Sequence, residues 1–412
     1  MKYTQDLKSG LIVSLIALPL CLGISLASGA PLLAGVIAGI IGGIVVGIIS
    51  DSPLSVSGPA AGLSVIIYFG IQEVGGFAAF APAIILAGVL QVIFGQLKFG
   101  KLTALIPHSV IEGMLASIGI LIIIKQIPLL LGVTNYPEVQ TLLSGQSVGS
   151  SMGALAIGLG CLFAFIIFRV TTIKSWRVFK LIPFPLVLVV LSALIARFIM
   201  QTDFALLSRD FVQVAGALKS LSFADHFQGL RDATWFSPLI LKHAVVLAIV
   251  ASIETLLCIE ASIKMDPFQR GTNKDRELLA QGIGNLSSGL MGGLPVTSVI
   301  VRTSANLEAG AASKWSTVFH GTILLIGLLL VPELMDMIPL AVLGAILVFT
   351  GYNLAAPQKF IQSFKHGLLD FIPFVTTILG VVMLDLLKGV ILGLVVALIL
   401  QKVLKAKDSH AS

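Results

Sequence analysis

Apolar residues run through this chain in stretches of about 20, parted by short polar turns, and a helix of that length crosses a bilayer. The 412 residues hold about fourteen such segments. Segment 1 covers 9–28, segment 5 covers 105–131 and segment 8 covers 238–262. Two segments are short: segment 3, at 57–71, and segment 10, at 295–308. Each opens on a proline among small residues, in SVSGPAAGLSV and GGLPVTSVIV. Proline and glycine leave backbone groups unpaired, and lipid cannot satisfy them, so such breaks persist only beside protein or a wet cavity. A matched pair of interrupted segments, one in each half, is the sequence mark of the binding site in an inverted-repeat transporter.

The polar stretch 202–237 parts the segments into two groups of seven, 1–201 and 238–412. Seven is odd, so the second group enters the membrane in the opposite sense. This predicts an all-α polytopic membrane protein, a 7+7 inverted repeat joined by an extracytoplasmic connection. Pro59 and Pro295, then Ile106-Pro107 and Ile338-Pro339, recur in the same order at similar offsets. Loop charge agrees. With the N-terminus in the cytoplasm, Lys98, Lys101, Arg169, Lys174, Lys264, Arg270 and Lys314 fall on the inner side, as the positive-inside rule requires. Both termini are then cytoplasmic, and the expected location is the bacterial inner membrane.

Composition narrows the function. The chain is 57% hydrophobic and 11% charged, whereas a soluble domain is about 25% charged. The net charge of +6 resides in loops, with no basic run interleaved with aromatics, so no nucleic-acid partner is expected. Cys21, Cys161 and Cys258 lie inside apolar segments without metal-ligand spacing and read as small packing residues. The first apolar stretch lacks a small-residue cleavage site and reads as a retained span. There is no P-loop, nucleophile elbow, dinucleotide fingerprint or CxxC. Neither ATP-driven transport nor an enzyme is indicated, and no cofactor.

The candidate chemistry sits in the broken segments. A helix start carries free N–H groups and about half a positive charge. Two such ends facing each other bind an anion, provided the residues are small enough for it to approach the backbone. Ser57, Gly58, Ala60 and Ala61 meet that need in segment 3; Thr297 and Ser298 do so in segment 10 and add hydroxyl donors. Arg302 lies four residues beyond Ser298, about one helical turn. An arginine at the bilayer centre costs about 2.5–3.5 kcal/mol, so it should face a polar cavity or a carboxylate. It either raises the positive potential at the anion site or pairs with Glu254 or Glu308. Glu254, inside segment 8, either partners Arg302 or binds a coupling Na+ or H+, with Cys258 one turn away. Glu260 reads as interfacial, Glu112 either lines the route or gate or is interfacial, Lys125 snorkels, and His243 and His320 could face the interior.

Taken together, DLKSGLIVSLIALPLCLGISLASG, SVSGPAAGLSV, SIETLLCIEAS, NKDRELLAQGIGNLSSGLMGGLP and VRTSANLEAGA resemble the SulP/SLC26 anion transporter family from about Asp6 to Leu404. The resemblance implies the uracil-transporter-like fold. Segments 1–4 and 8–11 would form a substrate-carrying core, and segments 5–7 and 12–14 a gate. It implies a substrate site at Ser57, Gly58, Ala60, Val296, Thr297 and Ser298, with Pro19 and Cys21 nearby, and it places Glu254 at the family's segment 8 carboxylate. Where sodium-coupled members carry a hydroxyl residue one turn after that acid, this chain has Cys258. The expected partners are a small inorganic anion, membrane lipid, a second copy in a homodimer and a functionally paired carbonic anhydrase. KAKDSHAS follows segment 14 directly, where most relatives continue into a STAS domain, so the resemblance implies either a truncated chain or the short bacterial branch. The expectation is a secondary anion transporter working as an elevator, with bicarbonate first and sulfate, or a dicarboxylate, second. An uncoupled anion channel and a nucleobase carrier are the rivals.

Overall fold

The N-terminal apolar stretch forms one long helix, α1 (Lys2–Ala27), which tolerates Pro19 in its interior. The computed structural model describes residues 2–101, 107–133, 152–171, 183–202, 205–220, 223–384 and 386–411. Ile106 and Lys174, used in the repeat and loop-charge arguments above, lie outside them. After α1 come α2 (Leu32–Ile49), the strand β1 (Ser57–Pro59), α3 (Ala61–Val74), α4 (Phe77–Gln96), α5 (His108–Leu130), α6 (Met152–Val170) and α7 (Phe184–Phe198). The polar connection carries two short helices, α8 (Val214–Lys219) and α9 (Phe223–Asp232). The second half holds α10 (Pro238–Met265), α11 (Lys274–Leu290), the strand β2 (Val296–Ser298), α12 (Ile300–Glu308), α13 (Trp315–Leu330), α14 (Pro332–Met335), α15 (Leu340–Leu354), α16 (Pro357–Lys365), α17 (Leu368–Met383) and α18 (Leu386–Ala411). Among the described residues, seven helices are long and apolar enough to cross a membrane. Four shorter apolar helices, α3, α7, α13 and α17, accompany them.

The chain forms two compact units. The larger comprises residues 1–100 and 126–347. Its helices approach closely where side chains vanish. A Cβ on Gly88 of α4 would lie 2.6 Å from the Leu286 amide nitrogen of α11, and one on Gly282 of α11 would lie 2.6 Å from that of Val92. Small residues at such crossings let membrane helices pack backbone to backbone. In the smaller unit, 101–125 and 348–412, α17 packs on α18. Ala116, Phe374 and Ile378 form its core.

Loops of the larger unit are tied by buried carboxylates. Asp6 accepts from the Ala312 and Ser313 amides at 2.7 and 3.0 Å, which fixes the start of α1 against the α12–α13 loop. Asp266, just past the end of α10, accepts from Arg270 Nε at 2.7 Å and from the amides of Phe268 and Arg270. The Arg270 side chain, above all, and those amides hold the Asp266 carboxyl below the usual carboxylate range. A lowered folded-state pKa stabilises at neutral pH, and the stabilisation is lost as pH falls through the lowered value. Asp266→Asn is therefore expected to lower the thermal unfolding midpoint at pH 7, by the worth of a charged hydrogen bond, about 1.5–3 kcal/mol. The difference from the parent should shrink in acid, as a thermal shift series across pH would show.

Candidate functional site

The two short segments meet. Their opening residues form a two-stranded antiparallel ribbon in which Ser57 faces Ser298, Gly58 faces Thr297 and Pro59 faces Val296. This corrects the sequence expectation in one respect. Ser57, Gly58, Thr297 and Ser298 lie on strands that precede the helices rather than in the first helical turns, so Ser298 is not one turn below Arg302 on a shared helix. The helices start just beyond, with Ala60 as N-cap of α3 and Val299 as N-cap of α12, and neither start has a side-chain cap. Because the strands are antiparallel, the two uncapped helix ends leave opposite ends of the ribbon. Their first-turn N–H groups and dipoles both favour an anion between them.

Side chains from four helices strap the ribbon in place. Thr255 of α10 accepts from the Ser298 amide at 3.3 Å. Asn285 of α11 exchanges both amide bonds with Val296, at 2.6 and 3.0 Å. Thr303 of α12 accepts from the Val56 amide at 3.1 Å. Thr317 of α13 donates to the Ser55 carbonyl at 3.0 Å. On the other side, α2 passes so close that it loosens into a π-helical stretch at Gly42–Val46. A Cβ on Gly42 would lie 2.5 Å from the Ser57 carbonyl oxygen. Such bulges recur at functional sites.

Strand alternation gives the ribbon two unlike faces. Ser57 and Ser298 lie on one face and spend their hydroxyls inside the protein. Ser57 accepts from Gln281 Nε2 at 2.7 Å, and Ser298 donates to Glu277 Oε1 at 3.2 Å while accepting from Ser55 at 2.9 Å. The Ser298 hydroxyl, expected from the sequence as an anion donor, is turned toward Glu277 here. Gly58 and Thr297 lie on the opposite face. The Thr297 hydroxyl is buried without a partner, and a Cβ on Gly58 would overlap the Arg302 guanidinium.

Arg302 occupies the first turn of α12 and is completely buried. Its Nη2 donates to Cys21 Sγ of α1 at 3.3 Å, while Nε and Nη1 have no partner. No ion pair joins it to Glu254 or Glu308 among the described residues, which sets aside both pairings considered above; Glu308 is exposed. Pro19 is buried two residues before Cys21, Ala60 is buried at the head of α3 and Ala61 is half-buried. A Cβ on Gly39 of α2 would lie 3.8 Å from the Arg302 Nη1 and 3.1 Å from Leu324 of α13. One turn before Leu324, His320 is fully buried with both ring nitrogens unpartnered.

Glu254 is half-buried and lies against the first turn of α3, where a Cβ on Gly62 would come 2.7 Å from its Oε1. Cys258 is buried with its sulfur 3.7 Å from Thr303 Oγ1. The two thus have different neighbours. Among the described residues no cluster of three His, Cys, Asp or Glu side chains could hold a metal. Glu260 pairs with Lys274 at 2.5 Å, Glu112 with His108 at 3.3 Å, and His243 with Glu73 at 3.0 Å. Two cavities, of about 420 and 310 Å³, are lined almost wholly by apolar side chains and include neither Arg302 nor the ribbon. The polar chemistry is concentrated at the ribbon.

Sequence reasoning missed Thr255, Gln281, Asn285, Thr303 and Glu277. A signal existed. Glu277, Gln281 and Asn285 recur every four residues in α11, a polar stripe along one face of a helix in a strongly apolar chain.

A membrane transport protein is the class these features define: apolar helices around a ribbon that carries a buried, unneutralised cation. The chain belongs to the sulfate permease family, whose model matches residues 3–377. The bicarbonate transporter BicA of Picosynechococcus sp. (strain ATCC 27264 / PCC 7002 / PR-6) is 30% identical over 412 residues, covering 96% of this chain and 69% of that protein. YvdB of Bacillus subtilis (strain 168), named as a candidate sulfate transporter, is 28% identical over 399 residues, covering 97% of this chain and 73% of that protein. The solved transmembrane domain of a cyanobacterial BicA superposes with a TM-score of 0.74 at 25% identity, covering 96% of this chain and 97% of that one. These relatives are transporters, not enzymes.

Proposed function

We propose that this protein is a secondary active transporter of a small inorganic anion, with bicarbonate as first substrate and sulfate as the alternative. The observation that carries the reading is Arg302, fully buried, with two free nitrogen donors and, among the described residues, no carboxylate paired with it. Such a cation is costly in a membrane and is normally paired or turned to a substrate path. Gly58 leaves space for the guanidinium, Thr297 adds a free hydroxyl, and the uncapped ends of α3 and α12 add N–H donors. A nucleobase would have less use for an unneutralised guanidinium. The order of the two anions follows the relatives' names, since the ribbon offers donors to either.

In this reading the chain is a 7+7 inverted repeat of fourteen segments, 1–201 and 238–412, with the broken segments meeting at the midplane. It sits in the inner membrane with both termini cytoplasmic and works as a homodimer, its core moving as an elevator. Carbonic anhydrase, by interconverting carbon dioxide and bicarbonate, is the enzyme activity that pairs with it. The coupling ion binds at Glu254. A thiol is a poor ligand for a hard cation, and Cys258 already has Thr303 beside it, which favours a proton over Na+ there.

The test is uptake of labelled bicarbonate and sulfate into proteoliposomes, with imposed sodium or proton gradients. Saturable uptake of one anion driven by one gradient is the expected result; voltage-driven current without coupling would replace the carrier by a channel. Glu254→Gln is expected to abolish gradient-driven accumulation while leaving anion binding, measured by calorimetry, within about threefold, a change under 1 kcal/mol. Unaltered gradient dependence would remove Glu254 from coupling.

A further inference from the structure

Behind the ribbon lies a second buried carboxyl group for which the anion site has no use. Glu277, in the first turn of α11, is fully buried. Neutral donors face it: Ser50 Oγ donates to Oε2, Gln281 Nε2 donates to Oε1 at 2.9 Å and Ser298 Oγ donates to Oε1 at 3.2 Å. The charged groups on the neighbouring elements are engaged elsewhere. At the end of α2, Asp51 pairs with Arg276 at 3.7 Å, and Arg276 Nε also donates to the Ile49 carbonyl. Lys314, ahead of α13, donates to the carbonyls of Ile48 and Ser50. On α10 the titratable neighbour is Cys258, buried beside Thr303, and Arg302 of α12 adjoins Gly58 on the other face. A buried carboxylate without a cation is costly enough that such groups take up a proton instead.

Gln281 links this group to the ribbon. Its two Nε2 hydrogens face three acceptors: Ser57 Oγ at 2.7 Å, Glu277 Oε1 at 2.9 Å and Ser298 Oγ at 3.2 Å. Its own Oε1 is buried without a donor. That orientation suits an ionised Glu277, which only accepts; a carboxyl protonated on Oε1 donates there and calls for the amide oxygen in place of the nitrogen. Turning the amide makes the Ser57 hydroxyl a donor where it had been an acceptor from Gln281, and takes from Ser298 the amide hydrogen that faced it. Those hydroxyls sit on the ribbon whose other face carries Gly58 and Thr297.

We propose that Glu277 is a proton-binding site of this transporter, and that Gln281 passes its state to the strands carrying the anion site. The proposal rests on the ribbon being that site. The proton comes from water on the side where Asp51 and Arg276 are exposed, forms an O–H bond on one carboxylate oxygen and neutralises the group. It is a site distinct from Glu254.

Infrared pH titration of the purified protein in lipid tests it, comparing the parent with Glu277→Gln and Glu254→Gln. The expected result is a carboxylic-acid carbonyl band, lost as pH rises, that is absent in E277Q and retained in E254Q. In proteoliposomes E277Q should keep uptake but lose one limb of its pH dependence. Gln281→Ala, which leaves the carboxyl in place, should keep the band and lose the same limb. A parent without the band, a band that survives in E277Q, or an unaltered pH profile in Q281A would overturn the proposal. Failure of the ribbon as the anion site would instead show as anion affinity indifferent to Arg302→Ala, with the band still present.

Discussion

Arg302→Ala abolishes saturable anion uptake while leaving the protein folded: this is the largest effect expected of any single substitution here. Nε and Nη1 are the free donors of a buried cation, and a hydrogen bond to a charged group is worth about 1.5–3 kcal/mol. Losing two of them at about 1.4 kcal/mol per factor of ten weakens binding by at least about 100-fold. Folding should survive because no carboxylate is left behind unpaired. The only hydrogen-bond partner of Arg302 among the described residues is the Cys21 sulfur, a weak acceptor. Removing the guanidinium also relieves the insertion cost of a membrane arginine, about 2.5–3.5 kcal/mol on translocon scales. Calorimetric titration with bicarbonate and sulfate, beside a thermal unfolding scan, checks both halves. Unchanged affinity would demote Arg302 to a structural role.

Gly58→Ala ranks second. Its added methyl would occupy the place of the Arg302 guanidinium, and overpacking of this kind costs about 1–3 kcal/mol. Uptake should fall by at least about tenfold, the factor that corresponds to 1.4 kcal/mol, and the unfolding midpoint should drop as well. Combining it with Arg302→Ala should recover the stability but not the uptake, because the clash then has no second party. Such non-additivity marks residues in direct contact. Additive stability losses would mean the two do not share one space.

How far the sequence could be read depended on what each signal encodes. The broken segments were legible because Pro59 and Pro295 interrupt apolar runs, and a membrane punishes interruption. Arg302 was legible because charge is rare at such depth. The ribbon was not, because three-residue strands leave no periodicity and their pairing joins positions far apart in the chain. Without the ribbon, the alternation that turns Ser57 and Ser298 away from Gly58 and Thr297 could not be seen, and all four looked equally available. The straps were hidden for a similar reason. Thr255, Asn285, Thr303 and Thr317 are ordinary polar residues until the backbone groups they satisfy are known. The freedom of Arg302 from Glu254 was also invisible, since spacing along a chain says nothing of which charges neutralise each other.

One strand of the ribbon comes from residues 57–59 and the other from 296–298. During synthesis, the early portion of the polypeptide therefore emerges with an edge that has nothing to pair with. On the proposed reading of the ribbon as the anion site, recognition comes into being only when the late portion has laid its strand alongside, and an unfinished chain has no means of selecting a solute.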